Sequence, residues 1–224
     1  MRDRRQSWAR AAVGLTWSVF VLLAGTASLE ADHNRLLQLE FRRAISRHVA
    51  CDSQGHCYLV VPASVGGKGF TLKVSQKPHP ESISDFPLTV PLPTLQGRPG
   101  ASFFSAGLAI DPQDRLHVIY TTEQGLTSYS VVKTQPLRSG KADQQWLNPV
   151  SGQTGGLVLA KTKSWAGDIC RSPDGQVWLT WTTGGGNDSE VTVHLGTLRD
   201  GAWQSFELGQ GKGLYPPAML FSRD

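Results

Sequence analysis

The chain has 224 residues, of which 39% are apolar, 8% aromatic and 18% charged, with a formal net charge of +4. That length fits one or two domains. Residues 1–28 hold four arginines and one aspartate, and removing that +3 leaves about +1 for the remainder, so there is no electrostatic case for nucleic acid as a partner.

Residues 1–28 read as a secretory signal peptide. Arg2, Arg4, Arg5 and Arg10 make a basic start, an apolar run extends from Ala11 to Ala24, and the small residues Gly25-Thr26-Ala27-Ser28 follow. This order predicts cleavage near Ala27 or Ser28 and a secreted or periplasmic protein. The competing reading is an uncleaved anchor, since with Ala27 and Leu29 the run approaches the lower length limit of a membrane span. Only in that case is a membrane a partner. Residues 29–46 form a leader. Within it Leu37-Gln38-Leu39-Glu40-Phe41 alternates apolar and polar, the period of a strand that would clasp a ring shut. A short helix through Leu36, Leu39 and Arg43 is the other reading.

There are three cysteines. Cys51 and Cys57 flank the turn Asp52-Ser53-Gln54-Gly55-His56, so in an exported chain they could bridge a hairpin. The third, Cys170, argues against a disulfide framework, and spacing alone leaves the bridge open. His48 and His56 lie nearby without the ligand spacing of a zinc site, so neither a metal nor a cofactor is expected.

Internal repetition is the most informative feature. Residues 49–61, 108–120 and 169–181 superpose, each as an apolar strand, a tight polar turn and a second strand, with Asp, Ser, Pro and Gly supplying the turn chemistry. Large residues recur in columns: Tyr58, His117 and Trp178; Leu59, Val118 and Leu179; Val61, Tyr120 and Trp181. The turn positions Gly55, Asp114 and Gly175 lie 59 and 61 residues apart. Third strands are expected over 70–75, 126–133 and 190–197. A fourth follows each: over 88–92, after Leu137-Arg138-Ser139-Gly140 toward Trp146, and after Leu198-Arg199-Asp200-Gly201 toward Trp203.

Four antiparallel strands per unit at a period of roughly sixty residues describe propeller blades. The expected fold is all-β, a partial β-propeller of about three four-stranded blades in an open arc. The blades would be 47–100, 101–160 and 161–213, with 214–224 starting a fourth. A β-sandwich also has short strands and turns at this spacing, but does not require a matched tandem unit. Residues 218–224 match 168–174 and stop inside the first turn. Propellers close with about four to eight blades. The expectation is therefore further blades beyond this sequence, or closure by association with another chain.

The turn Ser172-Pro173-Asp174-Gly175-Gln176-Val177-Trp178 and the strand Leu116-His117-Val118-Ile119-Tyr120 resemble the sialidase-like superfamily of propellers, in particular its bacterial neuraminidase-repeat members. The resemblance spans residues 42–224. Asp174 and Gly175 are adjacent, so the turn reads as a general propeller hairpin and not as that superfamily's Asp-box. The resemblance implies a propeller that binds or hydrolyses carbohydrate or glycan. A fold also accommodates unrelated roles, so the alternative is a non-catalytic propeller acting as a scaffold for a protein partner.

In an up-and-down blade, the loops leading into the innermost strands share one face with those joining second and third strands. That face is the expected site. Glycoside hydrolysis needs two carboxylates flanking the bond, and Asp168 with Glu123 is the expected catalytic pair. Arg47, His48, Trp165 and Tyr215 are the expected substrate-binding residues. Asp168 equally suits binding backbone amides, and Trp165 equally suits a core. Asp188, in a glycine-rich stretch, reads as part of a solvated loop. Trp146, Trp178, Trp181 and Trp203 read as packing between units, as does His117 in the column of Tyr58.

Overall fold

Side chains alternate between the two faces of a strand, so a run of apolar residues with no polar interruption has to be covered on both sides. The second strand of each sheet carries large apolar side chains, and in the middle sheet they fall on both faces, which dictates the architecture. The computed structural model describes residues 48–62, 70–90, 103–122, 125–139, 146–161, 163–184 and 190–212, with Leu214, Ala218, Met219 and Phe221. The expected signal peptide (1–28) and leader (29–46) lie outside the described residues.

Three four-stranded antiparallel sheets follow one another, each with its strands in chain order. The first comprises β1 (Val49–Cys51), β2 (Cys57–Pro62), β3 (Phe70–Val74) and β4 (Leu88–Val90). The second comprises β5 (Phe103–Ile110), β6 (Arg115–Thr122), β7 (Thr127–Lys133) and β8 (Leu157–Ala160). The third comprises β9 (Ser164–Arg171), β10 (Val177–Gly184), β11 (Glu190–Arg199) and β12 (Ala202–Lys212). Helix is confined, among the described residues, to α1 (Thr134–Arg138) and one 3-10 turn (Ile83–Asp85).

The β1–β2, β5–β6 and β9–β10 hairpins share one chemistry. Each has a residue at positive φ in the same column: Gly55 at 84°, Asp114 at 53° and Gly175 at 88°. Glycine occupies this region freely, and the short polar side chain of Asp tolerates it. Three residues earlier, Asp52 Oδ1 accepts from the N–H of Gln54 (3.0 Å) and His56 (2.9 Å). Asp111 Oδ1 does the same for Gln113 (3.0 Å) and Arg115 (2.9 Å). Ser172 takes this place in the third hairpin, where its hydroxyl donates to the Gln176 carbonyl at 3.0 Å. These are side-chain-capped turns, in which a carboxylate or hydroxyl replaces backbone partners that a tight bend cannot supply. Cys51 and Cys57 face each other across the first hairpin and are disulfide-bonded, while Cys170 is a buried free thiol.

The sheets stack face to face through two apolar layers. Tyr58, Val60 and Leu72 of the first sheet meet Leu108, Val118 and Tyr120 of the second. Ala109, Ile119 and Tyr129 of the second meet Ile169, Leu179 and Trp181 of the third. The sequence columns thus become faces. Val118 and Leu179 both point to the preceding sheet, and Leu59 occupies the equivalent outer face of the first beside Phe86. Burying one such side chain contributes about 1.5–3 kcal/mol, so the two layers dominate cohesion. The stack is open and does not close into a ring.

Two expected features differ. The fourth strand of the second unit is Leu157–Ala160, not the segment at Trp146. Leu147 makes isolated bridges to Val131 and Thr154, and a short excursion with Gly152 and Gly155 at positive φ separates it from β8. Trp146 itself is buried in the first layer, as expected of a packing residue. At the far end, Ala218, Met219 and Phe221 are not in strand, yet the Met219 N–H bonds Asp168 and Phe221 lies against Trp178 with ring centroids 6.3 Å apart.

Gly175 tests the hairpin contact. A Cβ there would stand 2.6 Å from Pro112 Cγ in addition to the strain of φ 88°, whereas Gly201, at φ 74°, has nothing within 4 Å of its Cβ position. Gly175→Ala is expected to destabilise by more than about 1 kcal/mol, the usual scale for loss of a required positive-φ glycine, and Gly201→Ala by less. Calorimetry on both variants measures this, and equal melting temperatures would refute the inter-hairpin contact.

Candidate functional site

The two ends of the stacked sheets differ in what they present. At the end where the innermost strands begin, His48 directly precedes β1. It is 8% exposed, and burial pushes its pKa down to about 4, so the ring is neutral at pH 7. Its carbonyl accepts from Val60 N–H at 2.9 Å. Trp165, the second residue of β9, is half-buried, with the Lys163 ammonium 5.5 Å from its ring centroid in a cation–π contact.

Asp168 is the fifth of the eight residues of β9 and only 2% exposed. Its Oδ1 accepts from Ile169 N–H (2.9 Å) and its Oδ2 from Met219 N–H (2.8 Å), while its own N–H donates to Thr180 Oγ1 (2.9 Å). The carboxylate ties the third sheet to the segment beyond β12. It sits inside the ladder because β9 begins at Ser164, well upstream of the matched position Ile169. Arg47, Glu123 and Tyr215 lie outside the described residues, as does Asp188. His48 adjoins the first sheet, and Trp165 and Asp168 belong to the third, with the second sheet packed between the two.

The opposite end, formed by the capped hairpins, carries a network that the reading of the sequence did not single out. Asp52 Oδ2 accepts from the Tyr58 hydroxyl at 3.0 Å and faces Arg138 Nη1 at 3.5 Å. The same Nη1 bonds Gln54 Oε1 at 2.5 Å and His56 Nδ1 at 2.9 Å. One repeat later, Asp111 Oδ2 accepts from Arg115 Nε (2.6 Å) and His117 Nε2 (2.9 Å), and His117 Nδ1 meets the Tyr129 hydroxyl at 2.5 Å. The tautomer that satisfies both contacts has the proton on Nε2 and accepts from Tyr129. Burial pushes the Asp111 carboxyl up, but the bonds from His117 and Arg115 outweigh it and bring its pKa down to about 2. Burial lowers the His117 pKa, with Asp111 partly opposing. A signal for this network lies in the repeat, where an aspartate recurs six residues before Tyr58 and His117.

The first two hairpins are laced together. Ser53 donates to Asp114 through its N–H (2.8 Å) and its hydroxyl (2.5 Å). Beside this tie lies a groove of about 390 Å³. Gln54 of the first hairpin forms one wall, Gln113 and Asp114 of the second another, and Lys133, Thr134, Gln135 and Arg138 of the β7–α1 corner close it. A volume of about 300–1,000 Å³ is typical of small-ligand sites. Carboxamides, ammonium and guanidinium offer hydrogen bonds in several directions and no apolar floor. Among the described residues no cluster of three His, Cys, Asp or Glu side chains suits a metal.

No protein-family model and no curated protein matches the chain. Among solved structures it is similar to a polysaccharide lyase of a new family, PL25 ulvan lyase, bound to -[GlcA(1-4)Rha3S]-, with 12% identity and a TM-score of 0.50. A second structure of PL25 ulvan lyase aligns at 12% identity with a TM-score of 0.49. Each alignment covers 77% of this chain and 46% of the other, so the chain spans about half the length of the lyase. At this identity the likeness is one of fold.

The Asp111–His117–Tyr129 network makes a prediction about pH. Below the ordinary His value of 6.5 the unfolded chain takes up a proton that folded His117, with its lowered pKa, refuses. Stability therefore falls as pH falls. Asp111 adds to the loss between its ordinary 3.8 and about 2, where the folded carboxyl stays ionised and the unfolded one does not. Urea midpoints for the wild type are expected to drop from about pH 7 to about pH 5, and less steeply for His117→Gln. Parallel pH profiles for the two proteins would show that His117 does not titrate in this way.

Proposed function

We propose that this chain is an exported, sialidase-like β-propeller that binds carbohydrate, its three sheets being successive blades. The groove between the first two hairpins carries this reading. Sugar hydroxyls and ring oxygens accept hydrogen bonds, and the carboxamide NH2 groups of two successive units present planar, directional donors to them. The fold shared with a polysaccharide lyase supports the same ligand class. Binding comes ahead of hydrolysis because the Asp168 carboxylate, half of the Asp168–Glu123 pair, is committed to two backbone N–H groups.

A specific observation favours a second reading, a scaffold for a protein partner. β12 is the outer strand of the third sheet, with Phe206 47% and Leu208 53% exposed. An edge strand with apolar side chains accepts another strand readily.

Titration calorimetry of the exported protein against a panel of neutral and acidic oligosaccharides tests the first reading. Gln113→Ala and Gln54→Ala are each expected to weaken binding by about tenfold or less, the scale of one hydrogen bond. Binding that survives both changes unaltered would remove the groove from consideration. Export has its own test. The secreted protein is expected to begin close to Ser28 or Leu29, read by mass spectrometry of its first peptide. Intact Met1 peptides in the membrane fraction would instead establish the anchor.

A further inference from the structure

We propose that the groove selects a saccharide unit bearing an oxyanion, a carboxylate or a sulfate, with Lys133 and Arg138 determining that preference. This rests on the reading of the groove as a carbohydrate site and asks which sugars it takes. The argument is an account of which hydrogen-bonding groups remain for a ligand. Both carboxylate oxygens of Asp114 are engaged by Ser53. Its carbonyl accepts from Thr134 N–H at 3.1 Å. The carboxamide oxygen of Gln54 accepts from Arg138, and that of Gln113 from Arg115 at 3.5 Å.

The side-chain oxygens of Gln54, Gln113 and Asp114 thus each take at least one bond from the protein itself. The NH2 groups of Gln54, Gln113 and Gln135, the Lys133 ammonium and the rest of the Arg138 fork then outnumber the acceptors left open at Thr134 and Gln135. The described bonds of Arg138 all run through Nη1, and its side chain is held in place by Asp52 behind it. Lys133 is exposed and makes no ion pair among the described residues. A wall of donors with two cations matches an acceptor-rich group, and an oxyanion forms shorter, charge-assisted bonds with it than a hydroxyl does.

The repeat supplies an internal control. At the same place between the second and third sheets, Gly175 abuts Pro112, leaving no room for a Cβ. The residue matching Gln113 is Asp174, whose carboxylate is bonded within its own turn by Ser172 and Gln176. The turn Arg199-Asp200-Gly201 stands where the second unit has α1. Among the described residues, the donor-rich groove lies where α1 stands, between the first pair of sheets.

Titration calorimetry of the whole exported protein at low salt compares galacturonate oligomers, galactose 6-sulfate and neutral galactose oligomers. The expected result is binding of one or both anionic probes at least about tenfold tighter than the neutral one, as for a hydrogen bond to a charged group. That preference should fall as salt is raised. Lys133→Gln is expected to remove most of the preference, lowering affinity for the anionic probes by more than it lowers affinity for the neutral one. Circular dichroism establishes that the variant is folded, and Arg138→Lys serves as the second variant. Preference for the carboxylate or for the sulfate identifies which oxyanion is read. Equal affinity for neutral and anionic probes, or an unchanged preference in Lys133→Gln, would overturn this inference and leave the carbohydrate reading standing. No binding of any sugar would overturn both.

Discussion

A four-stranded sheet with large apolar side chains on both faces must be covered on both faces, and everything else in this molecule follows from that requirement. In β6 alternate residues serve opposite layers: Val118 and Tyr120 pack on the first sheet, and Ile119 joins the layer shared with the third. The middle sheet is buried on both sides, and β7 is buried at six of its seven positions. Polar groups in such a strand need internal partners. The hydroxyls of Thr121 and Thr127 accordingly pair with each other at 2.9 Å, and Thr127 reaches Ser164 of the third sheet at 2.8 Å. Stacking is thus enforced by apolar burial and fixed in register by a small number of polar ties.

The hairpins provide the second level of organisation. Each must reverse the chain within a few residues and still satisfy its backbone, so a side-chain oxygen at a fixed position caps the turn. Asp52 and Asp111 do this with one oxygen and hold Tyr58 or His117 with the other. Because the turns project from one end of the stack, they touch their neighbours there, through Ser53 with Asp114 and Pro112 with Gly175. A device that begins as local turn chemistry ends by aligning successive sheets. Where α1 interrupts the second unit, that alignment opens into the donor-lined groove.

The expected site residues illustrate what a repeat alignment conveys and what it omits. Columns identify equivalent positions but not the lengths of the strands that hold them. The matched segment begins at Ile169 and so puts Asp168 at the start of an innermost strand, whereas β9 runs from Ser164 and carries Asp168 into the ladder. The match puts the fourth strand of the second unit at Trp146 for the same reason, because columns do not convey the length of the excursion before β8.

The sequence alone determined the all-β class, the hairpin positions and the packing role of the tryptophans Trp146, Trp181 and Trp203. These depend on local chemistry, namely turn residues, the two-residue strand period and the recurrence of large side chains, and all of that is written along the chain. Tertiary structure alone decided the closure of the Cys51–Cys57 bridge, the commitment of Asp168 to backbone amides, and the meeting of Gln54, Gln113, Lys133 and Arg138 around one groove. Gln54 and Arg138 are 84 residues apart. No periodicity links them, and their contact exists only because apolar burial stacks two sheets and brings the ends of their hairpins together.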